Sequence, residues 1–209
     1  VEVRAINTVV ERDIQEIISD SQIFDAFRGK LILVTGATGL IGSMVARSLI
    51  AANDAYHLSL RVICHVRNIE KAHHMFSDIV DSDILTFVDT PLESLDIACD
   101  YIMHGAAPTK SKYFVEHPVD TIRTSIHGTE RMLELGKEQK IKGMVYLSSM
   151  EQYGVPYESG QVMTEDRIGY LDHLNVRSSY SESKRLCECY CKSYAVEFGV
   201  PVKIARLAQ

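Results

Sequence analysis

The 209-residue chain has no dense run of lysine and arginine, and its formal charge of −6 matches poorly with nucleic acid or an anionic bilayer as main partner. It lacks any apolar run of membrane-spanning length. Its first residues are acidic and amphipathic, without the basic and then apolar pattern of a secretory signal. A cytoplasmic protein that binds neither nucleic acid nor membrane is the expectation. The five cysteines, Cys64, Cys99, Cys187, Cys189 and Cys191, are odd in number and lack the paired spacing of a disulfide framework. Cys187, Cys189 and Cys191 do not make a metal site either. On a helix only Cys187 and Cys191 share a face, and no nearby histidine offers a third ligand. Free thiols and no metal are expected. There is no internal repeat or low-complexity tract, and the length suits one substantial core with at most an appendage.

What is present starts with the apolar run Leu31-Ile32-Leu33, which leads into Val34-Thr35-Gly36-Ala37-Thr38-Gly39-Leu40-Ile41-Gly42. Beyond it Val45, Leu49 and Ile50 fall on a helical stripe. Strand, glycine turn and helix in that order make an anion site, because unpaired N–H groups and the helix dipole point at one spot. A pyrophosphate suits it. Gly36 serves the tight turn, Gly39 the close approach to phosphate and Gly42 the packing of helix on strand, with Thr38, Leu40 and Ile41 completing the cradle. The G-x-x-G-x-x-G spacing resembles the T-G-x-x-G-x-x-G turn of short-chain dehydrogenase/reductase proteins, the extended branch in particular.

Further strands are expected over residues 59–66, 84–88, 99–104, 143–149 and 201–207, and helices over 42–52, 68–80, 113–139 and 179–198, with a turn at 53–58. Such alternation predicts an α/β fold, a doubly wound parallel sheet of Rossmann type with helices on both faces. Residues 1–29 read as an N-terminal helical extension with an apolar stripe of Ile14, Ile17 and Ile18, and residues 30–209 as the cofactor-binding domain. Gly128 inside the 113–139 stripe predicts a close packing contact, since glycine in a helix otherwise costs stability. The long irregular stretch 161–177 is expected to flank the site.

At the end of the second strand, where a carboxylate would accept hydrogen bonds from the adenosine ribose, the chain has Cys64-His65-Val66-Arg67-Asn68. Without that acid, Arg67 either pairs with a 2′-phosphate or is a solvated loop residue, so NAD and NADP both stay open. Small residues at Gly105-Ala106-Ala107 let a cofactor lie along the sheet edge. His104 reads as a packed structural histidine.

The second motif is Tyr180-Ser181-Glu182-Ser183-Lys184. Tyrosine and lysine four apart stand on one helix face, and a nearby ammonium is expected to lower the phenol's pKa toward the range of a general base. With Ser148-Ser149 at a strand end and the glycine turn upstream, the set resembles the Ser/Thr, Tyr-x-x-x-Lys catalytic set of the same family. The stretch Leu147-Ser148-Ser149-Met150-Glu151-Gln152-Tyr153-Gly154 is similar to the nucleotide-sugar-modifying branch. That resemblance places the catalytic Ser/Thr on Ser149 and matches Glu151 to the glutamate of dehydratases and UDP-glucuronate decarboxylases. Met150 stands where dehydratases have Asp, and Ser125 where the family commonly has Asn. The residues from His104 through Pro118, and Arg177-Ser178-Ser179-Tyr180 with Lys184-Arg185, look like the decarboxylase group.

The resemblance implies NAD or NADP as cofactor and adenine contacts from Asp89 and Thr90. It implies a nucleotide-sugar substrate and transient oxidation of a sugar hydroxyl, with Tyr180 as base, Lys184 tuning it and holding the nicotinamide ribose, Ser149 on the reacting oxygen and Glu151 assisting the step that follows. It implies a homodimer through the helices at 113–139 and 179–198. Members of the branch continue past the sixth strand, so a missing C-terminal substrate region is expected. An NADPH-dependent carbonyl reductase and a non-catalytic dinucleotide-sensing module are the alternative readings.

Overall fold

The computed structural model describes residues 8–79, 83–158, 160 and 162–208. Residues 1–7 of the expected N-terminal helix, Val80 of the expected helix 68–80, and Gln161 lie outside them. Alternation along the strands decides the layers. In β1 (Leu31–Thr35) Ile32 and Val34 bury on one face and Leu33 on the other; in β2 (Arg61–His65) Val62 and Cys64 oppose Ile63. Strands apolar on both faces need cover on both, and that is what the helices supply.

With β3 (Leu85–Val88), β4 (Tyr101–His104), β5 (Gly143–Ser149) and β6 (Val202–Leu207) they form one parallel sheet of order β3-β2-β1-β4-β5-β6. The chain steps outward from β1 to β3, then returns to β4 and steps out the other way. The reversal between β1 and β4 opens a crevice at the carboxyl ends of those strands, the place where such sheets take ligands.

One core holds the first layer, with Ile14 from α1 (Thr8–Ile17), Phe24 from α2 (Ser21–Asp25), Ala46, Leu49 and Ile50 from α3 (Leu40–Tyr56) and Ala72 from α4 (Ile69–Met75). The other holds Met132, Leu133 and Leu135 of α6 (Pro118–Gln139) with Cys187, Cys191 and Tyr194 of α7 (Ser179–Glu197). No helix among the described residues is long and apolar enough to cross a membrane.

Four elements differ from the sequence reading. The helix expected over 68–80 ends at Met75, where α4 stops. The N-terminal stretch is two helices, because the Asp20 side chain accepts the Gln22 N–H at 3.0 Å and caps a new start. The helix expected over 113–139 divides into α5 (Ser111–Glu116) and α6 at His117, since proline cannot continue a helix but suits the first position of the next. Helix α3 runs past Ala52 to Tyr56, and Asn53, expected in the turn, accepts the Leu60 N–H at 3.1 Å from within the helix.

The glycine turn is held by contacts between backbones. Gly36 has φ +70°, and a Cβ on it would stand 2.8 Å from the Gly105 carbonyl carbon. A Cβ on Gly42 would meet the Gly36 carbonyl oxygen at 2.3 Å and Ala37 Cα at 2.9 Å. Gly128 makes the close contact expected of it, since a Cβ there would lie 2.6 Å from Leu92 Cδ2.

Glycine to alanine within a helix ordinarily stabilises by about 1 kcal/mol. At Gly42 the neighbours are main chain and cannot step aside, so Gly42→Ala is expected to destabilise by about 1–3 kcal/mol, the cost of overpacking. Denaturant midpoints of the two proteins check this, and a gain in stability would contradict the packing described.

Candidate active site

Helix α3 begins at Gly39, whose missing side chain leaves the first turn uncapped. The Gly39 N–H turns back to the Gly36 carbonyl at 2.9 Å, and Ser43 N–H reaches Gly39 O at 3.0 Å. The N–H groups at Leu40 and Ile41 therefore stand at an open helix start. Leu40 is 83% exposed and Ile41 41%, Thr38 is half-buried, and Gly42 is buried against the turn. An anion fits such a cradle.

One hydroxyl fixes the floor of the crevice. Thr35 Oγ1 accepts the N–H groups of Gly105 and Ala106, each at 3.2 Å, and its proton goes to His104 Nδ1 at 2.7 Å. With Nδ1 accepting, Nε2–H donates to Thr129 Oγ1 at 3.2 Å, and Thr129 donates to Ser125 O at 2.7 Å. The tautomer is thus assigned from the network. Burial pushes the His104 pKa down to about 3, so the ring is neutral and structural, in line with its sequence reading. Ala106 and Ala107 follow, half-buried at the edge of the crevice.

At the other end of the crevice His65, buried, donates from Nε2 to the Thr90 carbonyl at 2.8 Å and so ties the end of β2 to the loop after β3. Burial lowers the His65 pKa, although the Thr90 bond, Asp89 and Glu93 favour its charged form. The sequence reading found the missing acid here but not this link. Arg67, Asp89 and Thr90 are exposed around it.

The adjacent serines of β5 take different parts because successive residues face opposite ways. Ser148, buried, donates to Glu188 Oε1 at 2.5 Å, and Glu188 in turn receives Arg206 through Nε at 3.1 Å and Nη2 at 2.7 Å. Ser149 lies near enough to Tyr180 for its hydroxyl to favour the phenolate, and it accepts the Glu151 N–H at 3.2 Å. Tyr180 is stacked on Phe114, with centroids 4.3 Å apart and planes at 2°. Ser179 Oγ donates to Phe114 O at 3.2 Å and so fixes α5 to the start of α7.

Lys184 lies one turn beyond Tyr180 and is 3% exposed. Its Nζ donates to Leu147 O at 2.7 Å, 4.8 Å above the Tyr146 ring and 5.7 Å from that of Tyr180. Burial lowers its pKa to about 8, opposed by Cys187, Cys191 and Glu188. The expected fall in the Tyr180 pKa does not occur. Burial raises it, outweighing the Ser149 hydrogen bond and the Arg177 charge that favour the phenolate. Glu151 is not free, as both its oxygens receive Arg177, at 2.9 and 3.0 Å, and Ser181 Oγ adds a bond at 3.1 Å.

The two motifs meet through short contacts. A Cβ on Gly36 would strike Gly105, a Cβ on Gly105 would lie 3.1 Å from Leu147 Cδ1, and the Leu147 carbonyl holds Lys184. Around them, arginines absent from the sequence reading as functional groups fix the loops. Arg185 donates to Gln152 O at 2.6 Å, Tyr153 O at 3.1 Å and Gly169 O at 2.8 Å. Arg206 reaches Glu165 O at 2.8 Å. With the bridge between Val155 and Tyr170 these bonds place the stretch beyond Gln161 against the turn that follows β5. Glu188 lies four residues after Lys184, a helical spacing that was legible; the partners of Arg185 and Arg206 are far away in sequence. Among the described residues no group of three or more His, Cys, Asp or Glu side chains can hold a metal, and all five cysteines are free, with Cys189 exposed and Cys187 and Cys191 buried.

Comparison with known proteins places the chain in a family. The chain is 30% identical over 183 residues to UDP-glucuronic acid decarboxylase 1 of Danio rerio, covering 85% of this chain and 41% of the relative. It is 31% identical over 180 residues to UDP-glucuronic acid decarboxylase 6 of Arabidopsis thaliana, covering 84% and 49%. The chain thus spans half or less of these relatives' length. Among solved structures, UDP-glucuronic acid 4-epimerase from Bacillus cereus in complex with UDP-glucuronic acid and NAD superposes with a TM-score of 0.69 at 24% identity, covering 84% of this chain and 55% of that one. An epimerase of Methanothermobacter thermautotrophicus gives a TM-score of 0.72 at 24% identity, covering 92% and 55%. These structures share the fold. The model of the NAD dependent epimerase/dehydratase family matches residues 32–209, from β1 through β6, and the chain belongs to that family.

Proposed function

We propose that this chain is the NAD-binding, hydride-transferring part of an enzyme that epimerises or decarboxylates a nucleotide sugar through transient oxidation of a sugar hydroxyl. The observation that carries the reading is the meeting of Ser149, Tyr180 and Lys184 with the open start of α3 at one strand-end crevice. Gly36, Thr38, Gly39, Leu40, Ile41 and Gly42 would hold the pyrophosphate, Arg67, Asp89 and Thr90 the adenosine end, and Ala106 and Ala107 the edge between. Tyr180 and Lys184 would meet the nicotinamide ribose. When bound, NAD supplies the site that accepts and returns the hydride. The B. cereus epimerase that shares the fold carries NAD in its complex.

In this reading Tyr180 takes the proton of the sugar hydroxyl and Ser149 hydrogen-bonds the same oxygen. Lys184, with a pKa of about 8, is charged at neutral pH and places its ammonium beneath the phenol. Glu151 lies on the same side and serves the step after oxidation. Met150 offers no proton for a departing hydroxyl, which disfavours dehydration. The decarboxylases to which the chain is similar make a uronic acid sugar the first substrate to test. We place a homodimer contact on the outer sides of α6 and α7, where Ile122, Leu186 and Phe198 are exposed.

A second reading, NADPH-dependent carbonyl reduction, is favoured by one observation. The end of β2 offers His65 engaged with Thr90 and an exposed Arg67 in place of an acid.

Tyr180→Phe is expected to cut cofactor reduction by a nucleotide sugar by about 10²–10⁴-fold, the worth of a positioned general base. NAD binding should stay close to wild type, and the rise of rate with pH, which follows ionisation of the phenol, should vanish. Nicotinamide absorbance in single turnover and calorimetry check both, and a retained rate contradicts the assignment. Arg67→Ala separates the cofactor readings. In the first, NAD affinity should fall by no more than about threefold, the worth of one contact to the uncharged adenosine end; a loss of about tenfold or more in NADP affinity, the worth of one charge-assisted bond, would carry the second.

A further inference from the structure

Glu151 raises a difficulty that its sequence role does not address. A carboxylate beside a phenol that must become an anion opposes the ionisation. The structure meets this with Arg177, from the turn of 3₁₀ helix at Val176–Ser178 just before Tyr180. Its planar fork takes both oxygens of Glu151, at 2.9 and 3.0 Å. The fork is itself held in place. Asn175 Oδ1 accepts the Arg177 N–H at 2.9 Å, and the guanidinium lies 5.0 Å from the centre of the Phe114 ring on which Tyr180 is stacked.

We propose that Arg177 is a positioning residue for the Tyr180 base: paired at two points with Glu151, it cancels that carboxylate's charge beside the phenol and fixes where the carboxylate stands. This rests on the reading of Tyr180 as the base. Two-point pairing is a property of arginine and not of lysine, whose single ammonium cannot take both oxygens in one plane. The groups facing Tyr180 are Phe114 from α5, Tyr146 and Ser149 from β5, Glu151 from the turn after it, Arg177, and Lys184 from its own helix. Of these Glu151 raises the phenol's pKa and Arg177 lowers it, so the two charges work against each other. The Arg177 and Glu151 side chains are 37% and 29% exposed, so solvent damps the effect without abolishing it.

The sign of each single variant follows. Removing Arg177 alone leaves Glu151 uncompensated and makes Tyr180 a weaker acid. Removing Glu151 alone leaves the cation and makes it a stronger one. Removing both returns it near the wild type. A residue that only propped up the fold would not produce opposite shifts that cancel.

The experiment replaces Tyr180 with a fluorinated tyrosine, whose phenol ionises nearer neutrality, and follows its titration by fluorine NMR in four proteins: otherwise unchanged, Arg177→Gln, Glu151→Gln, and the double variant. Arg177→Gln is expected to lower the phenol's acid constant by about threefold or more and Glu151→Gln to raise it by a similar factor, shifts of half a pH unit or more. The double variant should lie within about twofold of the unchanged protein. If Arg177→Gln does not fold, Glu151→Gln and the double variant still decide. No rise in Glu151→Gln, or a double variant as weak an acid as Arg177→Gln, overturns the proposal. The titration needs neither cofactor nor turnover, so its failure is distinct from loss of the base assignment, which the kinetics of Tyr180→Phe would show.

Discussion

The hydroxyl of Thr35 sits where β1 and β4 diverge, and the rest of the site is built outward from that point. It satisfies two backbone N–H groups after β4 and donates a hydrogen bond to a histidine buried too deeply to be charged. A buried polar group left without a partner would cost on the order of 1–3 kcal/mol, so the arrangement is demanding as well as stabilising. Because Gly105 is pinned to Thr35, Gly36 can turn against it with no Cβ between them. The glycine turn and α7 then meet through Gly105 and Leu147.

On the far side of the crevice the burial of charge governs the arrangement. Lys184 is brought out of water with its ammonium on one backbone carbonyl and two aromatic rings, and its pKa falls accordingly. Glu188 is buried beside it and compensated by Ser148 and Arg206. Arginine is the residue used at each loop because its several donors reach carbonyls from more than one segment: Arg185 joins the turn after β5 to Gly169, and Arg206 joins β6 to Glu165. The segments that carry Ser149 and Tyr180 are therefore fixed by bonds that close over long stretches of sequence.

That distinction explains what the sequence discloses. The glycine turn and the tyrosine–lysine pair are local, set by spacing along one turn or one helix, and both are legible. So is the sheet, since its strands are short apolar runs separated by helical stripes. The break at Pro118 is equally local, and a helical stripe read across it hides a boundary that the proline marks. The partners of Arg185 and Arg206 depend on where distant strands end, which composition and period do not specify. The raised pKa of Tyr180 is of the same kind: proximity of a lysine in sequence suggests a lowered value, but burial is a property of the folded chain. The tautomer of His104 likewise follows only from its two threonine partners.

The central claim is that this crevice holds a dinucleotide with its phosphates on the start of α3. The most direct measurement is to denature the purified chain and identify released nucleotide by mass spectrometry, with calorimetric titration of NAD into any empty protein. The account predicts released NAD, or binding of one NAD per chain that is lost when Gly39 is replaced by glutamate. A chain that releases no dinucleotide and binds neither NAD nor NADP would contradict it.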